Sequence, residues 1–115
     1  MRVFRIETDD KHGPYCGTRD AYNMEGDSLF CGRRHPPPVN DIPLWDGLRG
    51  KRAQYHFGFA TLMQLDAWFG RVRAGLREAG FAVSTYEVAD ELVLPGAHQV
   101  AFDLYQATLL SRTPL

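Results

Sequence analysis

The chain has 115 residues, and its 13 basic and 14 acidic side chains leave a formal net charge of −1. A nearly neutral surface excludes nucleic acid and anionic membranes as partners bound mainly through charge. No run of about 18 apolar residues is present, which excludes a membrane-spanning helix. Asp9 and Asp10 lie where a signal peptide would be apolar. The sequence therefore predicts a single cytoplasmic domain over residues 1–115.

The first predicted element is a strand at residues 2–7, where apolar and polar side chains alternate. Phe4 and Ile6 share one face of this strand, and Arg5 lies on the other. An arginine in the middle of a short strand requires water or an anionic partner. Pairing with Glu7 or with a carboxylate of the following loop is the preferred interpretation, and binding of an anionic ligand is the alternative.

A long ordered loop is predicted over residues 8–54, which contain five of the seven prolines and six of the eleven glycines. Such a loop is uncommon in a compact domain and is usually functional. Two mirrored pairs within it have the side chains of a tetrahedral zinc site, namely His12 with Cys16 and Cys31 with His35. The spacing is not that of common zinc motifs, and free cysteines are often simply buried. No metal is predicted, and zinc remains the alternative.

A strand at residues 55–60 leads into the main predicted helix, which covers residues 61–79. Thr61 and Gln64 form a capping box at its start, because each side chain can accept a hydrogen bond from a backbone amide of the first turn. Apolar residues recur behind this box at helical spacing. Gly80 is predicted to follow the helix as the residue that ends it.

Two more strands are predicted after the helix, at residues 81–88 and 99–110, with a turn at Pro95-Gly96 between them. The element order is strand, long loop, strand, helix, strand, turn and strand. This order indicates an α+β fold, in which a mixed or antiparallel sheet packs against one main helix.

Several short motifs mark the length of the chain: Phe4-Arg-Ile-Glu7, Gly13-Pro-Tyr15, His35-Pro-x-Pro, Phe57-Gly-Phe59, Leu65-x-x-Trp68-Phe69, Tyr86-x-Val88 and Gln99-x-x-Phe102. Together they are similar to small uncharacterised proteins of bacteriophages and integrated mobile elements. The resemblance covers most of the chain and fits least over residues 17–34. It implies an accessory protein that acts in the cytoplasm of a bacterial host.

The order of elements also resembles a minimal ADP-ribosyltransferase-like fold. By that resemblance Arg5, on the first strand, would bind the pyrophosphate of NAD, and Phe57 would stack on nicotinamide. Gln99 would occupy the position of the late acidic residue, but a neutral amide cannot stabilise a developing oxocarbenium charge as a carboxylate would. Arg5 and Gln99 are thus the candidate catalytic residues. The candidate ligand-binding residues are Arg5, Tyr15, His35, Phe57, Tyr86 and Gln99.

Two functions of different classes follow. The preferred one is a non-catalytic protein that binds a host defence or regulatory protein and interferes with it, with no cofactor. A contact of about 800 Å² per partner would be sufficient for such a binder. The alternative is an NAD-dependent ADP-ribosyltransferase-like enzyme that acts on a host target. Gln99 favours the binder, because it lacks the charge that the enzyme most needs.

Overall fold

Two antiparallel three-stranded sheets and a short helical layer make up the part of the chain that the structure describes. This structure is a computed structural model, and it describes residues 1–11, 13 and 55–115. The predicted loop at residues 8–54 therefore lies mostly outside the described residues. The four residues of the alternative zinc site, His12, Cys16, Cys31 and His35, also lie outside the described residues. The same holds for the predicted ligand-binding residue Tyr15.

The strands are β1 (Arg2–Glu7), β2 (Tyr55–Gly58), β3 (Ala82–Glu87), β4 (Val93–Pro95), β5 (Val100–Asp103) and β6 (Thr108–Pro114). The helices are α1 (Leu62–Phe69) and α2 (Arg73–Glu78), with short 3₁₀ helices at Gly70–Val72, Asp90–Leu92 and Leu104–Gln106. The predicted α+β class is confirmed, and of the predicted alternatives, a mixed or an antiparallel sheet, the described strand pairs are all antiparallel.

The first sheet has the strand order β1-β3-β6, and the second has the order β2-β5-β4. A single bridge between Phe4 and Phe59 connects them. Each of these residues donates its backbone N–H to the carbonyl of the other, at an N···O distance of 2.8 Å in both directions. β1 is therefore the strand at which the two sheets meet.

The two faces of β1 are buried in two different apolar clusters. Ile6 and Phe4 pack against the helices, together with Leu65, Trp68, Phe69 and Leu76. Val3, on the opposite face, packs between the sheets with Tyr86, Val100 and Phe102. Successive side chains of β1 therefore point to opposite faces, as its sequence predicts. Neither face is exposed to solvent, because the polar residues Arg5 and Glu7 are also buried.

The predicted helix at residues 61–79 is confirmed, with an interruption at the 3₁₀ helix Gly70–Val72. Half of its predicted cap is present: the Thr61 side chain accepts from the Gln64 N–H at 3.1 Å, whereas Gln64 Oε1 accepts from the Ala60 N–H at 3.2 Å and not from that of Thr61. Gln64 therefore reaches one residue further back than the capping box predicts.

Gly80 ends the helical segment as predicted, in the left-handed region with a φ of 92°. The Gly80 N–H donates to the carbonyl of Arg77, and the Phe81 N–H donates to the carbonyl of Leu76. This is the Schellman pattern, which satisfies carbonyls that the helix leaves without partners. Phe81 and Leu76 also share one apolar cluster.

The prediction of one strand over residues 99–110 is wrong, because two strands of different sheets occupy that segment. Asp103 ends β5: its carboxylate accepts from the backbone N–H of Tyr105 at 3.1 Å and from the Gln106 amide at 2.9 Å. These bonds favour a turn at Leu104–Gln106 over an extended chain. The chain then crosses to the first sheet as β6.

None of the helices within residues 1–11 and 55–115 is long and apolar enough to cross a membrane.

The close approach of β1 and β2 requires glycine at position 58. A Cβ atom there would lie 2.7 Å from Val3 Cγ1 and 2.9 Å from the carbonyl oxygen of Phe4. We expect Gly58→Ala to lower the free energy of unfolding by about 1–3 kcal/mol through overpacking, as measured by urea denaturation.

Gly70→Ala is the matched control, because the nearest atom to its new Cβ would be an Asp66 carboxylate oxygen at 3.3 Å, on an exposed side chain that can move. Position 70 has helical dihedral angles, so alanine there should be neutral or stabilising by up to about 1 kcal/mol. Equal losses in the two variants would contradict the role given to Gly58.

Candidate functional site

A cavity of about 270 Å³ lies beside the point where β1, β2 and α1 come together. Most of the described residues that line it are apolar or aromatic, and three of them carry polar side chains. The described lining residues are Arg5, Ile6, Gly13, Tyr55, His56, Phe57, Phe59, Trp68, Phe69 and Gln99. A mainly apolar recess with a few convergent polar groups is the usual composition of a small-molecule site.

Arg5 is only 8% exposed, and its guanidinium is held by three acceptors. Its Nε donates to Glu7 Oε1 at 2.9 Å, and one terminal nitrogen donates to the carbonyl of Phe57 at 2.7 Å. The other terminal nitrogen donates to the carbonyl of Lys11 at 3.4 Å. Of the two carboxylate partners that the sequence allows, Glu7 or a loop residue, the structure pairs Arg5 with Glu7, which neutralises its positive charge beside the cavity.

Glu7 also accepts a short hydrogen bond from the hydroxyl of Tyr86, so both carboxylate oxygens are used. Glu7 and Tyr86 are almost completely buried. Burial raises the pKa of the Tyr86 phenol, and the hydrogen bond to Glu7 raises it further. Tyr86 thus remains a neutral donor that orients the Arg5–Glu7 pair. It is not among the described residues that line the cavity.

His56 contributes a buried nitrogen, Nε2, that has no hydrogen-bond partner among the described residues. Its ring packs edge-on against Tyr105, with 5.9 Å between the ring centroids. Burial lowers the pKa of His56 below its usual 6.5, and the charge of Arg5 acts in the same direction. The imidazole is therefore neutral at physiological pH.

Gln99 lies immediately before β5 and is 6% exposed. Its amide is not one of the buried polar atoms that lack a partner, which among the described residues are His56 Nε2 and Ser84 Oγ. It presents one acceptor oxygen and two donor hydrogens at a cavity whose walls are mostly apolar.

The structure brings three of the predicted ligand-binding residues to one cavity, namely Arg5, Phe57 and Gln99. Sequence reasoning did not select His56 or Trp68 for this site. His56 could have been recognised as a candidate, because it is a polar residue directly before the apolar segment Phe57-Gly58-Phe59. Trp68 has only the periodicity of a core residue, and that periodicity does not distinguish a cavity wall from a filled core.

No group of three or more histidine, cysteine, aspartate or glutamate side chains within residues 1–11 and 55–115 could hold a metal ion. What the described arrangement offers is a neutral recess with unused hydrogen-bonding capacity. It contains a donor and an acceptor on one amide, a neutral imidazole nitrogen and several aromatic faces. This composition can hold a small ligand.

Comparison with known proteins points to a bacteriophage. A family model described as "Bacteriophage T4 Y00F protein" matches residues 1–115, the whole chain. The chain is also 45% identical over 51 residues to an uncharacterised 19.7 kDa protein encoded in the motB-dexA intergenic region of Enterobacteria phage T4. That alignment covers 44% of this chain and 31% of the relative. No solved structure matches the chain, so the resemblance to ADP-ribosyltransferases gains no structural support.

The buried ion pair makes a testable contribution to stability. Glu7→Gln leaves the charge of Arg5 buried without a counterion, and we expect it to lower the free energy of unfolding by about 3–5 kcal/mol. Arg5→Met combined with Glu7→Gln removes both charges, so it should cost less than the sum of the single changes. Urea denaturation of all three variants measures this difference.

The exposed Glu91 provides the control for that series. Glu91→Gln should change the free energy of unfolding by no more than about 0.5 kcal/mol, as surface substitutions usually do. Strict additivity of the Arg5 and Glu7 substitutions would show that the two side chains do not stabilise each other.

Because the pKa of His56 is lowered in the folded protein, stability should fall as pH falls through about 6.5. Below that pH the unfolded chain takes up a proton at His56 that the folded chain excludes. In His56→Gln this contribution is absent, so the melting temperature should depend less on pH between 7.5 and 5.5. Thermal denaturation monitored by circular dichroism would test this. Parallel curves for the variant and the unaltered chain would contradict the burial argument.

Proposed function

Because this chain belongs to the bacteriophage T4 Y00F protein family, we propose that it is a phage accessory protein that binds a protein of the bacterial host and interferes with it without catalysis. A host defence or regulatory protein is the proposed target, and the host cytoplasm is the proposed location. The observation that carries this proposal is the exposed edge of the first sheet.

β6 forms that edge. It pairs with β3 on one side, and no other described strand pairs with it on the opposite side. All seven residues of β6 are exposed, including Leu109 and Leu110, at 49% and 48%. The pairing register with β3 shifts between Thr85 and Tyr86, opposite these two leucines. Two half-exposed leucines on a strand edge are unusual, since native edges are normally protected.

The usual protection of an edge strand is incomplete in β6. Its one charged residue, Arg112, forms an ion pair with Asp9 and donates to the carbonyl of Glu7 at 3.0 Å. That guanidinium is therefore engaged with the segment at the end of β1. Pro114 blocks pairing only at the end of the strand. The segment Thr108–Ser111 has no charge or proline of its own.

An edge of this kind fits a partner that adds a strand. In such complexes backbone hydrogen bonds provide affinity, and side chains at alternate positions provide specificity. The proposed partner presents an extended segment whose apolar side chains cover Leu109 and Leu110. This mode requires no reaction, no cofactor and no net charge on either surface.

An NAD-dependent ADP-ribosyltransferase-like activity is the second candidate, and one observation favours it. Arg5, Phe57 and Gln99 line the same cavity, as the resemblance to those enzymes implies. Against it, Glu7 already neutralises Arg5, so the guanidinium is a poor site for a pyrophosphate. Gln99 also remains without the charge that an oxocarbenium ion needs.

The edge proposal predicts a specific loss of binding. The tagged chain should capture a discrete protein from a lysate of the bacterial host, and Leu109→Lys combined with Leu110→Lys should reduce its recovery at least about tenfold, because a charged edge rejects an added strand. Amide protection of β6 on addition of the purified captured protein would locate the contact. The readouts are quantitative pull-down and hydrogen exchange.

Met63→Lys is the matched control, because Met63 is 82% exposed and lies on α1. It should capture the same protein as the unaltered chain. Equal loss in the control, or protection that avoids β6, would contradict the proposal. The same lysates incubated with biotin-labelled NAD distinguish the second candidate: no labelled band is expected, and a band that depends on Gln99 would favour the enzyme.

A further inference from the structure

The cavity beside β1, β2 and α1 takes no part in the proposed edge contact, and its chemistry points to a ligand. One of its polar groups, His56 Nε2, is buried without a hydrogen-bond partner among the described residues, and the side-chain amide of Gln99 lines the same cavity. A buried polar group without a partner costs free energy. A ligand that supplies the missing partner would recover that cost.

The described polar side chains of the cavity carry no net charge once Arg5 is paired with Glu7. The Arg5 guanidinium is paired with Glu7, at 2.9 Å between Nε and Oε1, and it also donates to the carbonyl of Phe57. His56 is neutral. An anionic ligand would find the nearby positive charge already compensated and would lose its hydration without replacement. The site therefore favours a neutral ligand over a carboxylate or a phosphate.

The amide of Gln99 limits the ligand further. It presents a donor and an acceptor side by side, so it is satisfied best by a group with an acceptor next to a donor. The edges of nucleobases have this pattern, and glutamine pairs with them through two hydrogen bonds. The required complement is thus a planar ring with adjacent donor and acceptor atoms.

The walls and the size of the cavity agree with a ring of this kind. Aromatic side chains supply much of the lining, and they include Phe57, Phe59, Trp68 and Phe69. Aromatic faces stack on any nucleobase. The volume of about 270 Å³ is below the usual range for drug-sized ligands. It suits a single ring system and is too small to enclose a dinucleotide.

We propose that this cavity binds the base of a nucleoside, held by paired hydrogen bonds to the Gln99 amide and stacked on the surrounding aromatic side chains. The sugar lies towards the opening of the cavity. This site is separate from the β6 edge, and neither proposal depends on the other.

Titration of the full-length chain with free nucleosides tests the site. Adenosine, guanosine, cytidine and uridine are added one at a time, and two-dimensional NMR follows the side-chain amide of Gln99 and the indole N–H of Trp68. At least one nucleoside should shift both signals in a saturable way. Its 5′-monophosphate should bind no more tightly, because the polar part of the cavity is neutral.

Gln99→Leu should weaken that binding at least about tenfold, through the loss of two hydrogen bonds. Gln106→Leu is the matched control: Gln106 is exposed and donates to Asp103, outside the described lining, and its replacement should leave affinity unchanged. If Gln99→Leu does not fold, the changes in the NMR signals of Gln99 and Trp68 in the unaltered chain test the proposal by themselves. The proposal is overturned if no nucleoside shifts Gln99, if Gln99→Leu binds normally, or if the monophosphate binds much more tightly.

Discussion

The buried ion pair between Arg5 and Glu7 constrains the rest of this structure. Removing two charges from water costs several kcal/mol per ion, and the cost is offset only where hydrogen bonds complete both groups. Here the completing groups come from both sheets: the carbonyl of Phe57 belongs to β2, and the hydroxyl of Tyr86 belongs to β3. β1 therefore has to lie between these two strands. Because β1 lies close to β2, Phe4 and Phe59 form a bridge, and position 58 has no room for a side chain.

The same pair determines what the neighbouring cavity can bind. An unpaired arginine at this position would attract anions, whereas the paired one leaves a neutral recess. The unpartnered His56 Nε2 and the amide of Gln99 are then the chemically distinctive groups of the described site. The exposed edge lies elsewhere, because β3 separates β6 from β1 in the first sheet. A small phage protein can thus combine a strand edge suited to a protein partner with a recess suited to a small ligand.

Local signals predicted the elements whose ends are determined by nearby residues. Thr61 and Gln64 cap the helix, and Gly80 ends it, through hydrogen bonds that reach only a few residues along the chain. The prediction failed at residues 99–110, where apolar alternation continues past a turn. There the carboxylate of Asp103 interrupts the extended chain. Alternation reports which side chains are buried, and it does not report which sheet buries them.

The sequence by itself determined the α+β class, the first strand and the helix, because periodicity and caps are encoded within a few residues. The resemblance to an ADP-ribosyltransferase-like fold, rather than any local pattern, placed Arg5, Phe57 and Gln99 among the candidate ligand-binding residues. Only the tertiary structure decided that these three meet at one cavity and that the Arg5–Glu7 pair is buried between β2 and β3 there. The contacts responsible join residues 52 and 79 positions apart. Such contacts depend on how the sheets pack, which no local pattern of residues specifies.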